Sequence, residues 1–296
     1  MTGSAPVATI AGRGPVLAIQ SFVAAGRVGH RAGSFALERL GHEVVQIPTT
    51  LLSGHAATPG VTGHRLAATD VASLLDGVAA AGLLTNISAL LTGYLGSPET
   101  AVAVADFLAR LPAETLFLCD PVLGDTDSGL YLPEAVGRLY RERLLKRADI
   151  AVPNAFELGW LTGRALQTPG AMVSAARSLG PATVYVTSVA QGLPADRLGI
   201  LAVTPSTAAL VTTPRLPVDP KGAGDLCAAL LLAAHLQGAS AADAALRAAA
   251  VLQAIIARNK TGALDLVAGQ ALLTAQVAAL PAPRIERLEG APMRGL

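Results

Sequence analysis

The chain has 296 residues, 52% hydrophobic and 15% charged, with a formal net charge of +1. That suffices for one large α/β domain or two small ones, and the near-zero charge gives no electrostatic case for nucleic acid or an anionic membrane. Cys119 and Cys227 form neither a disulfide framework nor a metal-ligand spacing, no uncharged apolar run of about 18 residues marks a membrane span, and residues 1–15 lack the apolar stretch of a signal peptide.

A loose tail over residues 1–15 and a cytoplasmic setting are therefore expected. Val16–Gln20 is a short apolar run with the pattern of a buried strand. Val28–Leu40 carries helical spacing and stops at Gly41. Glu43–Ile47 reads as a second strand, and residues 51–65 as a loop. Asp70–Ala81 predicts a helix with Asp70 as N-cap. A strand ends at Leu91, before the turn Thr92-Gly93-Tyr94. Pro98–Leu111 is helical, Thr115–Cys119 a strand, Pro133–Arg147 a helix, Ile150–Val152 a strand and Ala155–Thr162 a helix. Thr168–Leu179 predicts a helix and Thr183–Thr187 a strand. Leu198–Val203 and Ala208–Thr212 read as a hairpin. Ala223–Gln237, Ala241–Arg258 and Leu264–Ala279 close the chain as helices.

This βαβα order predicts a mainly parallel central sheet with helices on both faces. In such sheets ligands bind beyond the carboxyl ends of the strands. Ser21, Thr49, Tyr94, Asp120, Asn154 and Thr187 each follow an apolar strand, which predicts one wall of convergent polar groups.

The segment Asp219-Pro220-Lys221-Gly222-Ala223-Gly224-Asp225 runs straight into an Ala/Leu-rich helix. Glycines let a chain turn tightly and present bare N–H groups at a helix start. Such groups, aided by the helix dipole, hold phosphate or a developing anion. Asp225 stands where it can accept a proton from an incoming hydroxyl, and an anion hole beside a base suits phosphoryl transfer to an alcohol. A glycine turn with an aspartate N-cap would give the same residues without chemistry.

Ile19-Gln20-Ser21, Gly26-Arg27-Val28-Gly29, Pro48-Thr49-Thr50-Leu51-Leu52-Ser53, Leu91-Thr92-Gly93-Tyr94, Asp120 through Asp125 with Ser128-Gly129-Leu130-Tyr131, Pro153-Asn154-Ala155-Phe156-Glu157, Val186-Thr187-Ser188 and Lys221 through Asp225 occur in one order along the chain. On these segments the chain resembles the pyridoxal/pyridoxine/pyridoxamine (vitamin B6) kinase family of the ribokinase-like superfamily. The resemblance implies a three-layer α/β fold over residues 16–296 as one kinase domain. It implies transfer of the ATP phosphoryl group to the 5′-hydroxymethyl group of a B6 vitamer. Asp225 would take the proton, and Gly222, Ala223 and Gly224 would hold the transferring phosphate. Ser21, Thr49 and Tyr94 would contact the vitamer. Asp120, Tyr131 and Glu157 would surround the ATP phosphates and their cations. Asn154, Thr187 and the segment Thr213-Pro214-Arg215-Leu216 would contact the nucleotide. Acids facing phosphates, Asp125 among them, imply Mg²⁺ between them; a monovalent cation and a homodimer also belong to this expectation.

Several positions depart from the family pattern. Phe22 follows the first serine. The loop carries Ser53-Gly54-His55-Ala56 without the tyrosine that commonly comes next, which leaves His55 open between substrate contact and ordinary loop histidine. Val152 replaces a threonine. The glycine motif is Gly-Ala-Gly-Asp, and Cys227 stands where Phe is common. Cys227 reads either as a small core filler or as a first-turn cysteine of lowered pKa. Hydroxymethylpyrimidine kinase activity, sugar kinase activity and a non-catalytic B6-binding protein are the competing readings.

Overall fold

The computed structural model describes residues 14–259 and 262–288; most of the expected tail, residues 1–13, lies outside them. Strands are β1 (Val16–Val23), β2 (Val44–Leu52), β3 (Gly63–Arg65), β4 (Ala89–Thr92), β5 (Leu116–Cys119), β6 (Gly124–Asp125), β7 (Gly129–Leu130), β8 (Ile150–Ala151), β9 (Thr183–Val189), β10 (Arg197–Val203), β11 (Ala208–Pro214) and β12 (Arg284–Arg287). Helices are α1 (Gly33–Arg39), α2 (Ala68–Ala80), α3 (Pro98–Phe107), α4 (Glu134–Leu139), α5 (Leu145–Arg147), α6 (Ala155–Thr162), α7 (Pro169–Arg177), α8 (Ala223–Leu236), α9 (Ala241–Ala257) and α10 (Gln270–Thr274).

One sheet runs in the order β12-β11-β10-β9-β8-β5-β4-β1-β2-β3. The strands from β2 to β9 pair in parallel, while β10, β11, β12 and β3 join antiparallel. The alternation along β1 divides the core. Leu17 and Ile19 face a layer that includes Val71, Val104, Val136, Leu158 and Val173; Val16 and Ala18 face Leu37, Leu230 and Val251. Helix α8 is apolar nearly all round because it lies between the sheet and other helices. Each fully buried Leu or Phe in these layers contributes roughly 1.5–3 kcal/mol.

The expected α/β fold is present, with local corrections. The helix expected over 28–40 is broken, because Gly29 takes φ +53° and only a 3₁₀ turn, Gly29–Arg31, precedes α1. The loop expected over 51–65 is partly sheet: β2 continues to Leu52 and β3 pairs back on it, Leu51 opposite His64. Asp70 is not an N-cap; it lies in the first turn of α2, whose N-cap is Ala67. The helix expected over 133–147 carries a π-helical turn, Tyr140–Leu144. In place of a helix over 264–279 there are α10 and a 3₁₀ turn, Val277–Ala279. Strand β12, wholly exposed, was not anticipated.

The chain moves from β1 to β2 on one side, then returns to β4 on the other. The sheet therefore has a topological switch point between β1 and β4, where open α/β sheets place ligands. Gly93, at the end of β4, is supported from below: the buried Tyr140 hydroxyl donates to its carbonyl at 2.8 Å. The π-helical turn sets this reach, a local irregularity of the kind frequent near functional sites. Tyr140→Phe removes that donor, so a loss of about 1–3 kcal/mol is expected in urea unfolding. An unchanged midpoint would show that Gly93 does not depend on it.

Candidate active site

Read across the sheet, the polar strand ends form a row: Thr49 on β2, Ser21 on β1, Tyr94 after β4, Asp120 after β5, Asn154 after β8 and Thr187 on β9. Strand β11 runs in the same direction as β9, so Thr213–Leu216 ends at the same edge. At ~4.8 Å per strand, β1 to β9 spans about 20 Å. One wall thus has room for an alcohol substrate beside β1 and a nucleotide towards β9.

The β1 end is shaped by a bulge. Gln20 pairs with Pro48 and Phe22 with Leu51, so Ser21 opposes both Thr49 and Thr50. The bulge breaks the alternation of strand faces, and both threonines are buried. Thr49 donates its hydroxyl to the Tyr94 carbonyl at 2.6 Å. Its oxygen is thereby left with acceptor capacity alone. Gln20 has no role in the strand-end pattern read from sequence. It is 2% exposed, and its Nε2 meets no acceptor among the described residues. It lies between Gly33 and Gly93, where a Cβ would come within 3.0 and 3.1 Å of its amide. The only signal for it was its place in the strand-end motif.

Helix α8 brings the base to this edge. Its N-cap is Gly222, at φ +92°. A side chain there would place Cβ 1.8 Å from the Arg27 carbonyl oxygen. Only glycine permits both the left-handed turn and this approach. Ala223 N–H turns to Pro220 O at 3.3 Å, so one of the three expected phosphate amides already has a partner. Gly224 takes no left-handed conformation, and a Cβ on it would meet open space. The turn therefore does not require glycine at this position.

Asp225 is in the first turn of α8 and not at its N-cap. Burial raises its carboxyl to about 6, against N–H donation from Gly29 and from its own backbone. A carboxyl so raised changes protonation near neutrality, as a general base must. Asp120 is pushed well above the carboxylate range by burial, then by Glu157 and Asp225. The Val122 N–H opposes this, delivered by a backbone at φ +42°. A β-branched residue in that region is strained, as happens at functional sites.

Glu157 is held differently from the expectation of an acid open to cations. Oε1 accepts from Leu123 N at 2.7 Å and Gly124 N at 3.3 Å, and Oε2 from Asn154 N at 2.8 Å. Asn154 completes a capping box on α6 and donates Nδ2 to Gly124 O at 2.7 Å. Burial still pushes Glu157 upward. Its visible work is to fix the loop after Asp120. The Tyr131 hydroxyl donates to Asp125. Burial acts to raise Asp125, but Tyr131 and Ser128, with Lys221 beyond, outweigh it and hold it low.

His55 sits in the β2–β3 hairpin loop, where Nδ1 accepts from Ala57 N at 3.2 Å. Burial lowers its pKa and nearby Lys221 lowers it further. The loop therefore hangs beside the turn before α8. The lowered pKa considered for Cys227 is wrong: the thiol is buried and pushed up to about 12 by desolvation and by Asp120. It is a core filler.

Among the described residues no three His, Cys, Asp or Glu side chains cluster closely enough to enclose a metal. Asp120 nevertheless fits a partial site. It is buried, pressed by two other acids, and its neighbour Glu157 has both oxygens engaged. Mg²⁺ takes one or two carboxylates, keeps several waters and is completed by phosphates, so one such carboxylate beside a phosphate suffices.

A parallel sheet with a base at a helix N-terminus, set across the strand ends from a buried acid, defines a small-molecule kinase of the ribokinase-like fold. A model of the phosphomethylpyrimidine kinase family matches residues 58–267. A pyridoxal kinase PdxY of Leifsonia xyli is 39% identical over 239 residues, 78% of this chain and 84% of the relative. That of Rubrobacter xylanophilus is 37% identical over 281 residues, 91% and 97% of the two chains. The pyridoxal kinase of Leishmania donovani, solved in complex with ADP and pyridoxamine, superposes with a TM-score of 0.85 at 28% identity, covering 92% of this chain and 99% of that one. The chain belongs to the pyridoxal kinase family.

The two glycines before Asp225 separate stability from chemistry. Gly222→Ala is expected to lose at least about 1–3 kcal/mol, since it meets both a left-handed φ and a backbone oxygen. Gly224→Ala is expected to keep the wild-type melting temperature yet lose turnover, because its methyl would stand where phosphate approaches. Equal melting temperatures for both variants, or full activity in Gly224→Ala, would contradict this division.

Proposed function

We propose that this protein transfers the γ-phosphoryl group of ATP to the 5′-hydroxymethyl group of pyridoxal, and of pyridoxine and pyridoxamine, giving the 5′-phosphate. The observation that carries the reading is Asp225, a half-buried carboxylate raised to about 6 at the N-terminus of α8. Asp225 removes the hydroxyl proton as the oxygen attacks phosphorus. Gly222 and Gly224 supply the amide edge facing the transferred group, and Ala223 joins them only where its N–H leaves the Pro220 carbonyl. Ser21, Thr49 and Tyr94 contact the vitamer, and Asn154, Thr187 and Thr213–Leu216 line the nucleotide path. Asp120 would hold Mg²⁺, with Glu157 fixing its loop and Tyr131 steadying Asp125 at the rim. Bound there, Mg²⁺ would offset phosphate charge, and a monovalent cation belongs to the same reading.

Residues 16–296 act as one kinase domain; a sheet that runs through the described residues supports this. Two buried free thiols support a reducing, cytoplasmic setting. The likeness to the kinase family supports a homodimer that works on small molecules without nucleic acid or membrane. No helix among the described residues is long and apolar enough to cross a membrane.

The matching family model is described as phosphomethylpyrimidine kinase, so a pyrimidine acceptor such as hydroxymethylpyrimidine is the second reading. A coupled ATPase screen against pyridoxal, pyridoxine, pyridoxamine and hydroxymethylpyrimidine separates the two. Turnover with the B6 vitamers is expected to exceed that with the pyrimidine by at least about tenfold in kcat/KM; the reverse order would replace this reading with the second.

Thr49 and His55 have different weight in it. Thr49→Val removes both the Tyr94 tie and an acceptor at the bulge. It is expected to raise KM for pyridoxal more than His55→Ala, whose ring bonds its own loop. A larger effect of His55→Ala would make the loop histidine a vitamer ligand.

A further inference from the structure

Outside the residues already assigned, one buried titratable side chain links the turn after β1 to strand β2 beside the proposed acceptor pocket. His30 follows Gly29 in the 3₁₀ turn and is 3% exposed. Its Nε2 is 3.0 Å from Ile47 O, and its Nδ1 is 3.0 Å from Ser34 Oγ. A carbonyl only accepts, so Nε2 carries the proton, and Nδ1 accepts from the Ser34 hydroxyl. Burial holds the ring pKa down to about 4, so this neutral form persists at neutral pH.

What these two bonds join decides their meaning. Ile47 lies in the last regular stretch of the β1–β2 ladder, just before Ser21 opposes Thr49 and Thr50. A bulge interrupts pairing, and the His30 ring supplies a bond to β2 at its edge. On the other side, Gly29 donates its N–H to the Asp225 carboxylate. Gly29 also lies so close to Ser21 that a Cβ would come 2.1 Å from the Ser21 carbonyl oxygen. A displacement of the ring would therefore shift the base, Ser21 and Thr49 relative to one another.

We infer that His30 is a positioning residue: its ring ties the Gly29 turn that holds Asp225 to the strand that presents Thr49, and so sets the distance between the base and the vitamer-binding hydroxyls. The inference rests on the proposed function. Misplacement of reacting groups by about 1 Å can cost 100-fold in rate. The nucleotide half, at Asn154 and Thr187, belongs to β8 and β9 and lies beyond β4 and β5 from this tie.

The test is steady-state kinetics of the full chain with pyridoxal and MgATP, in wild type, His30→Ala, His30→Gln and Ser34→Ala. His30→Ala is expected to lose about 10–100-fold in kcat/KM for pyridoxal, with KM for ATP within about twofold of wild type. His30→Gln, whose amide reaches Ile47 O, is expected to recover most of that loss. Ser34→Ala removes one anchor and is expected to show the same one-sided pattern, several-fold in size. If His30→Ala does not fold, the other two variants carry the test. A folded His30→Ala with unaltered pyridoxal kinetics overturns the inference, as does equal damage to both substrates or failure of both His30→Gln and Ser34→Ala to show the pattern. A wild-type protein that phosphorylates no B6 vitamer overturns the proposed function itself, and the inference with it.

Discussion

The active edge depends on one close approach. Gly222 lies against the Arg27 carbonyl oxygen, at a distance no side chain tolerates and with a backbone turn no other residue adopts freely. This contact seats the N-terminus of α8 on the segment that follows β1. It also brings the Gly29 N–H to the Asp225 carboxylate. Without it, α8 would remain a well-packed apolar helix, but its first turn would not face the strand ends. The extensive Ala/Leu packing of α8 against the core then serves chemistry by preventing the helix from moving away.

A second constraint is the cost of burying acids. Asp120, Glu157 and Asp225 lie close together where water is partly excluded, and each is pushed towards protonation. The fold offsets this with backbone amides instead of basic side chains. Val122 accepts a strained conformation and its N–H serves Asp120; Leu123 and Gly124 turn theirs to Glu157; Gly29 serves Asp225. Amides stabilise the carboxylates without neutralising them. The Mg²⁺ proposed beside Asp120 would relieve what burial and the neighbouring acids impose on it.

The alternation of strands and helices and the polar strand ends were legible because both follow from simple periodicity and from the geometry of parallel sheets. The six strand-end residues fell in one row because six neighbouring strands are parallel. What the sequence hid was irregular geometry. The bulge opposite Ser21 depends on a register shift between two strands, and nothing in Thr49-Thr50 announces it. The π-helical turn under Gly93 lies within an ordinary helical pattern. Strand β12 is short and exposed, with no buried face to imprint a pattern. Glu157 was legible as a site residue, and Asn154 caps it locally, but the other two amides that fix its carboxylate, Leu123 and Gly124, are distant in sequence and have no sequence signature. His30 was passed over for the same reason: the partners of its ring, the Ser34 hydroxyl and the backbones of Ile47 and Gln20, have no sequence signature.

The central claim is that Asp225, fixed by Gly29 and α8, is the base for phosphoryl transfer. The measurement that tests it most directly pairs turnover with binding in Asp225→Asn. The substitution keeps the shape of the side chain and removes its basicity. The Asp225→Asn protein is expected to fold and to bind pyridoxal with nearly wild-type affinity by calorimetry, yet to form the 5′-phosphate about 10²–10⁴-fold more slowly. Near-wild-type turnover by a folded Asp225→Asn protein would contradict the account.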